Sequence, residues 1–325
     1  MRMNILKKKT IIVAAASLLW IAAIQIGFAK PPAGGGAASH IQKGIELAQQ
    51  KQYDAAVAEF TKAVEANPKD PRGYTNRGTA YRAAARAAEA AGDTAAATTR
   101  YSAALEDFSK HIDLAPKDAS AYLERGQTEY IMRQYDPALA DLNKALELKA
   151  NDPLALKFRG AVEIGLSQWD KAVADLSAAI QADPNDPISY DRRAWANRNL
   201  KNYDVAVADY TVLIDKNPND AEHLVKRGAT YTSMQNYEKA IADYQAALKV
   251  KADDYDTVQR LQYVQSMLAA KNAPPAPTPS PTPTPGPGLF TPMNVGIAIA
   301  ALIIIAILVR LLTRGKPEKD SHIIR

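Results

Sequence analysis

Two rows of opposite charge recur along the chain. The basic row is Lys43, Arg77, Arg125, Arg159, Arg193 and Arg227, and the acidic row is Glu59, Asp107, Asp141, Asp175, Asp209 and Asp243. Such rows do one of two things. They pair with each other between neighbouring helices, which fixes register more than it stabilises, or the arginines grip an anionic ligand. The acids sit one turn from a row of alanines expected in the core, which favours pairing. Catalytic chemistry finds no constellation. The four histidines, His40, His111, His223 and His322, are not spaced as metal ligands, and HExxH is missing. His111 falls on an apolar helix position and reads as a core residue. GxxxxGK[ST], GxGxxG and GxSxG do not occur. With no cysteine, disulfides, thiolate metal sites, iron–sulfur clusters and cysteine nucleophiles are excluded together. The expectation is a protein that is not an enzyme, with no catalytic residue, no cofactor and no metal.

The elements that carry the charge rows repeat. Small residues recur at Gly44, Gly78, Gly126, Gly160, Ala194 and Gly228. An aromatic follows each: Tyr53, Tyr101, Tyr135, Trp169, Tyr203 and Tyr237. Three residues further on come Ala56, Ala104, Ala138, Ala172, Ala206 and Ala240. Large residues then recur at Phe60, Phe108, Leu142, Leu176, Tyr210 and Tyr244. The last four repeats are each 34 residues apart. This spacing predicts two amphipathic helices per repeat, which approach closely at the small residues. Each repeat closes on Asp, from Asp70 to Asp254, as an N-cap for the next helix, with Pro71, Pro153 and Pro187 at the first helical position. One repeat cannot bury its apolar face, so the repeats must stack.

The period and pattern resemble the tetratricopeptide repeat (TPR) family over about residues 37–254. The implied fold is an all-α, TPR-type α-solenoid. It comprises six helix pairs, at about 37–70, 71–118, 119–152, 153–186, 187–220 and 221–254, and a capping helix at 255–271, making a solenoid over 37–271. The glycines and the alanine row are its structural residues. The second repeat departs from the pattern with 14 extra residues between Tyr81 and Tyr101. Fourteen residues is close to four helical turns, so both helices lengthen in register, with Gly92-Asp93 at the tip. The insert is either a passive elongation or a docking knob.

The resemblance also implies a binding surface, because in TPR arrays the first helix of each repeat lines a concave groove. Mapped onto this chain, that groove carries Arg82, Tyr130, Lys157, Arg192, Trp195, Arg198, Asn199 and Lys226, together with Arg72, Asn76, Gln127, Asp191 and Tyr263. Arg, Tyr and Trp dominate interface energetics, so Arg192, Trp195, Arg198 and Asn199 are the expected hot spot. The open alternative is that Trp195 is partly buried between repeats and the arginines are merely solvated. The two-carboxylate grip of chaperone-binding members is not evident, so no chaperone role follows.

The ends read differently from the middle. The formal charge of +5 comes from +4 in residues 1–29 and +3 in 310–325, and the middle carries −2. A near-neutral middle lacks the footprint of a phosphate-tracking protein, so no nucleic-acid partner is expected. Residues 1–29, basic and then apolar, form a signal peptide or an N-terminal anchor. Residues 30–36 are a flexible linker. Residues 272–288, rich in alternating Pro and Thr, form an extended stalk or a proline-rich ligand. Residues 289–312 form the expected transmembrane helix, 21 uncharged residues running from Leu289 to Val309, and 313–325 a basic cytoplasmic tail. The lipid bilayer is thus one expected partner, and a protein or peptide the other. The bulk of the chain is expected outside the cytoplasm at a bacterial envelope. The expected function is a membrane-tethered interaction scaffold. The alternative is a structural assembly subunit that packs through residues 82–100.

Overall fold

The computed structural model describes residues 36–273 and 292–313. Among the described residues there are fourteen helices and no strand. The chain divides into two compact units, Met1–Lys271 and Asn272–Arg325.

The first unit is a stack of helix pairs. The first two pairs are α1 (Gly36–Gln49) with α2 (Tyr53–Ala66) and α3 (Pro71–Ala90) with α4 (Thr94–Leu114). The next two are α5 (Ala119–Ile131) with α6 (Tyr135–Leu148) and α7 (Pro153–Gly165) with α8 (Trp169–Ala182). The last two are α9 (Pro187–Asn199) with α10 (Tyr203–Lys216) and α11 (Ala221–Ser233) with α12 (Tyr237–Val250); α13 (Tyr255–Asn272) follows them. Each helix packs on the next through α12, and α1, α3, α5, α7 and α9 also meet from repeat to repeat. First helices therefore meet along one side of the stack.

Local chemistry sets the helix ends. The Asp70, Asp118, Asp152, Asp186 and Asp220 carboxylates accept hydrogen bonds from backbone N–H groups of the helices they precede. Pro71, Pro153 and Pro187 occupy first-turn positions whose N–H needs no partner. Within every described repeat but the second, the turn uses a left-handed residue that is not glycine. Lys51, Arg133, Ser167, Lys201 and Gln235 have φ of 61°, 59°, 58°, 63° and 57°. Around Lys51, its own N–H donates to the Ala48 carbonyl and the next N–H to that of Leu47, closing the helix end.

The core confirms the repeat logic. All six alanines of the row have no solvent exposure. Facing them, a Cβ on Gly44 would lie 2.5 Å from Phe60 Cε1, and one on Gly160 2.8 Å from Leu176 Cγ. Gly78, Gly126 and Gly228 stand against Phe108, Leu142 and Tyr244 in the same way. Ala194 takes this place in the fifth repeat, fully buried beside Tyr210.

The insert is absorbed as added helix. α3 has 20 residues and α4 has 21, against 13 and 14 in the next repeat, with Gly92 at φ +83° in the turn. Ala85, Ala88, Ala97 and Tyr101 form a small core of their own, and Ile131 and Met132 of the third repeat pack on it. The hairpin therefore rests its apolar face on its neighbour.

In the second unit, α14 (Pro292–Thr313) is a single helix whose described side chains are all exposed. Among the described residues no helix is long and apolar enough to cross a membrane; in α14 the described side chains run unbroken only from Val295 to Leu311. The expected terminal crossings are not shown by these residues. The leader at 1–29, most of the linker, most of the stalk and the tail from residue 314 lie outside the described residues.

Candidate functional site: the staple row and the groove

The charge rows pair with each other. Arg77 donates from Nε and Nη2 to both oxygens of Asp107, at 2.9 and 2.8 Å. Arg125 grips Asp141 at 2.6 and 2.9 Å, and Arg159 grips Asp175 at 2.5 and 2.8 Å. Arg193–Asp209 and Arg227–Asp243 repeat the fork. In the first repeat Lys43 donates to Glu59 at 3.0 Å. Hydrogen bonds from His40, Lys62 and Lys43 hold that carboxyl down at about 2.

A third arm was not legible beforehand. The remaining Nη1 of each arginine reaches the second helix of the preceding repeat. Its acceptors are Thr61, Ser109, Asn143, Ser177 and Thr211 Oγ or Oδ1, at 3.3, 3.0, 2.9, 3.1 and 3.0 Å. Each guanidinium is a three-point staple tying its own pair together and to the one before. The forks raise the arginine pKa values. No arginine of this row is left to grip a ligand.

The groove residues divide into three groups. Arg82 is a correction. It is buried, donates to the Glu124 carbonyl at 3.1 Å and to Thr128 Oγ1 at 3.3 Å, pairs with the Glu124 carboxylate, and lies over the Phe108 ring. The longer α3 carries it into the seam with the third repeat. Asn76 and Gln127 are also buried, and Arg72 folds back on its own N-cap, Asp70. A second group is engaged in cross-repeat contacts. The Arg192 guanidinium lies 5.6 Å from the Tyr130 ring centroid and 5.9 Å from that of Phe158, and donates to the Lys157 carbonyl at 3.4 Å. Lys157 pairs with Asp186 at 3.3 Å. Lys226 pairs with Asp191 at 2.7 Å and Glu222 at 2.8 Å. Burial opposes the charge on Asp191, but His223 and Lys226 outweigh it and hold its pKa low.

The third group is open. Trp195 is 47% exposed. The Arg198 guanidinium stands 5.9 Å from its ring centroid, and Asn199 Nδ2 donates to the Trp195 carbonyl at 2.8 Å. These three residues, with Tyr203 and Ser233, line a cleft of about 130 Å³. Arg198 Nε is buried, and the buried Tyr210 hydroxyl acts on this guanidinium. On α13, Tyr263 is also exposed. An aromatic face and a cation together can receive an acceptor flanked by apolar surface. Among the described residues no cluster of acids and histidines is arranged to hold a metal.

A helical-repeat solenoid with an open cleft beside its first helices belongs to the class of repeat proteins that bind through a surface. The tetratricopeptide repeat profile matches residues 82–153, 159–221 and 192–257, and a second TPR profile matches 44–83. The chain belongs to the tetratricopeptide repeat family. Its fold is similar to that of YrrB, described as a TPR protein with an unusual peptide-binding site. The TM-score is 0.51 at 23% identity, covering 62% of this chain and 97% of that one. It is also similar to the APC/C hetero-tetramer Cut9–Hcn1, with a TM-score of 0.54 at 17% identity, covering 70% of this chain and 42% of that one. These likenesses concern the fold. No curated protein matches the chain.

Proposed function

We propose that this protein is a non-enzymatic scaffold that recruits a protein or peptide through the concave side of its TPR array, with the Trp195–Arg198–Asn199 cleft as the anchor point. The observation that carries the reading is the half-exposed Trp195 with the Arg198 guanidinium against its ring at the edge of a cleft. A partner that covers the ring removes this apolar surface from water. YrrB, a protein of similar fold, has a peptide-binding site, in keeping with this use of the array. Tethering to a membrane belongs to the same proposal and rests on sequence. Leu289–Val309 contains no charged residue, and a stretch of this length as a helix would rise about 30 Å, close to one bilayer core. Arg310, Arg314, Lys316 and Lys319 follow the stretch while 273–288 before it holds no basic residue, which supports a cytoplasmic tail and an array on the other side.

The test is site-specific photo-crosslinking of the full chain in cells, with the crosslinker at Tyr203 on the cleft rim or at Gly92 on the insert tip. The groove reading expects one partner captured from position 203 and lost in Trp195→Ala plus Arg198→Ala. Capture only from position 92, unaffected by that double change, favours the assembly-subunit reading instead. For topology, protease added outside intact cytoplasmic membranes is expected to digest the array and spare the tail.

A further inference from the structure

We propose that Glu129 and Glu163 are a pair of proton-binding sites that make the middle of the array, its third and fourth repeats, respond to pH. Both residues lie three positions past the small residue of the first helix. Elsewhere that position holds Leu47, Tyr81, Asn197 or Tyr231. The two acids are more than nine-tenths buried, and Oε2 of each has no hydrogen-bond partner. Each faces a carboxylate already in use. Asp141 has both oxygens on Arg125, and Asp175 has both on Arg159. A second carboxylate at each seam therefore has no cation of its own.

The charged groups acting on Glu129 are Arg125 of its own helix and Asp141 of α6. Those acting on Glu163 are Arg159 of its own helix and Asp175 and Lys171 of α8. From α6, Leu139 and Asn143 line the same recess as Glu163. Burial first, then repulsion by the neighbouring aspartate, pushes both glutamates up to about 7, against the pull of the arginines. Beside Glu163 a recess of about 310 Å³, with Asp175, Arg159 and Lys171 in its wall, gives protons a way in from solvent.

The two protonation states do different things to the seam. A protonated Glu163 donates its proton to Asp175, and the staple keeps its geometry. When that proton leaves to water, Arg159 is drawn between two carboxylates. Arg159 also holds Asn143 of the preceding repeat, and Arg125 likewise holds Ser109. Ionisation therefore loosens the joints on the N-terminal side of the third and fourth repeats. The folded state binds these protons more tightly than the unfolded chain does. Stability from this source is greatest at low pH, is lost as pH rises from about 4.5 to about 7, and levels off above.

Hydrogen exchange on the full chain in detergent micelles, corrected for intrinsic rates, tests this at about pH 5.5 and about pH 7.5. The opening constant of α5–α8 amides is expected to rise roughly tenfold or more between them. Glu129→Gln plus Glu163→Gln is expected to remove that rise. If the glutamine pair does not fold, Glu129→Tyr plus Glu163→Tyr, the residue type at 81 and 231, takes its place. In the wild-type chain, an infrared carboxylic-acid band present at the lower pH and gone at the higher is a second readout. A wild-type profile without the rise, or the same rise in a folded double variant, overturns the proposal.

Discussion

The staple row and the Trp195 cleft use the same residue type to opposite ends. At the seam every arginine makes three hydrogen bonds to two partner residues, in five consecutive repeats, with the same 16-residue offsets in nearly every case. At the cleft Arg198 appears once, beside an exposed ring. Periodicity separates the two roles. A charge that recurs in every repeat serves a contact that recurs in every repeat, and that contact can only be internal. A ligand touches a few repeats at most, so the residues that receive it appear as breaks in the pattern. Arg192 and Trp195 break it in one direction, Glu129 and Glu163 in another.

The largest effect that sharpens this contrast comes from cutting one staple. Asp175→Ala leaves the Arg159 guanidinium and Asn143 without their shared anchor. Because Asp175 is nearly buried while Arg159 is about a quarter exposed, the loss is expected at about 2–4 kcal/mol by chemical denaturation, below the full cost of an uncompensated buried charge. Replacing both partners, Arg159→Met with Asp175→Leu, is expected to recover most of it. If the single change costs under about 0.5 kcal/mol, the range of exposed pairs, the row does not staple the repeats.

Next in size is the close approach of the paired helices. Gly160→Ala pushes a methyl to 2.8 Å from Leu176 Cγ and is expected to cost about 1–3 kcal/mol, as overpacking does. The fifth repeat already carries Ala194 at this place, so the backbones there have adjusted. Ala194→Gly is expected to cost only about 1 kcal/mol, the helix-propensity difference. Equal costs at the two positions would show that the spacing of the helices, rather than the facing side chain, sets the tolerance.

Much of this was legible because repeats average out local ambiguity. The buried alanines, the Asp caps, the first-turn prolines and the helical insert each recur or fit the period, and each sits where the pattern puts it. What the sequence left hidden depends on distance between repeats. The hydroxyl and amide acceptors at Thr61, Ser109, Asn143, Ser177 and Thr211 differ in type, so no single letter marks them. Arg82 falls at a groove position by register, but its helix is two turns longer than its neighbours and packs on the third repeat, so the residue is covered. The left-handed turn residues are all polar but share no single type. Their conformation is imposed by the two helices they join. Glu129 and Glu163 were visible as departures from an apolar or aromatic position, and only their burial gives the departure meaning.

A smaller effect, of opposite sign, is expected at those turns. Lys201 holds φ at 63°, which costs a non-glycine residue about 1 kcal/mol or more. Lys201→Gly removes that strain but adds freedom to the unfolded chain, so a net gain of about 0.5 kcal/mol is expected, read as a small rise in thermal midpoint.

The smallest effect on the fold should fall at the place with the largest effect on binding. About half of the surface of Trp195 faces solvent, so Trp195→Ala is expected to change stability by no more than about 0.5 kcal/mol. The cost of truncating a large aromatic in a core is about 3–5 kcal/mol, so the two cases are well separated. A measured cost near the larger figure would mean that the ring works as mortar between the fifth and sixth repeats, and the cleft would lose its claim as an anchor. A negligible cost, together with lost capture of the partner, would place Trp195 among residues kept for what they meet rather than for what they hold up.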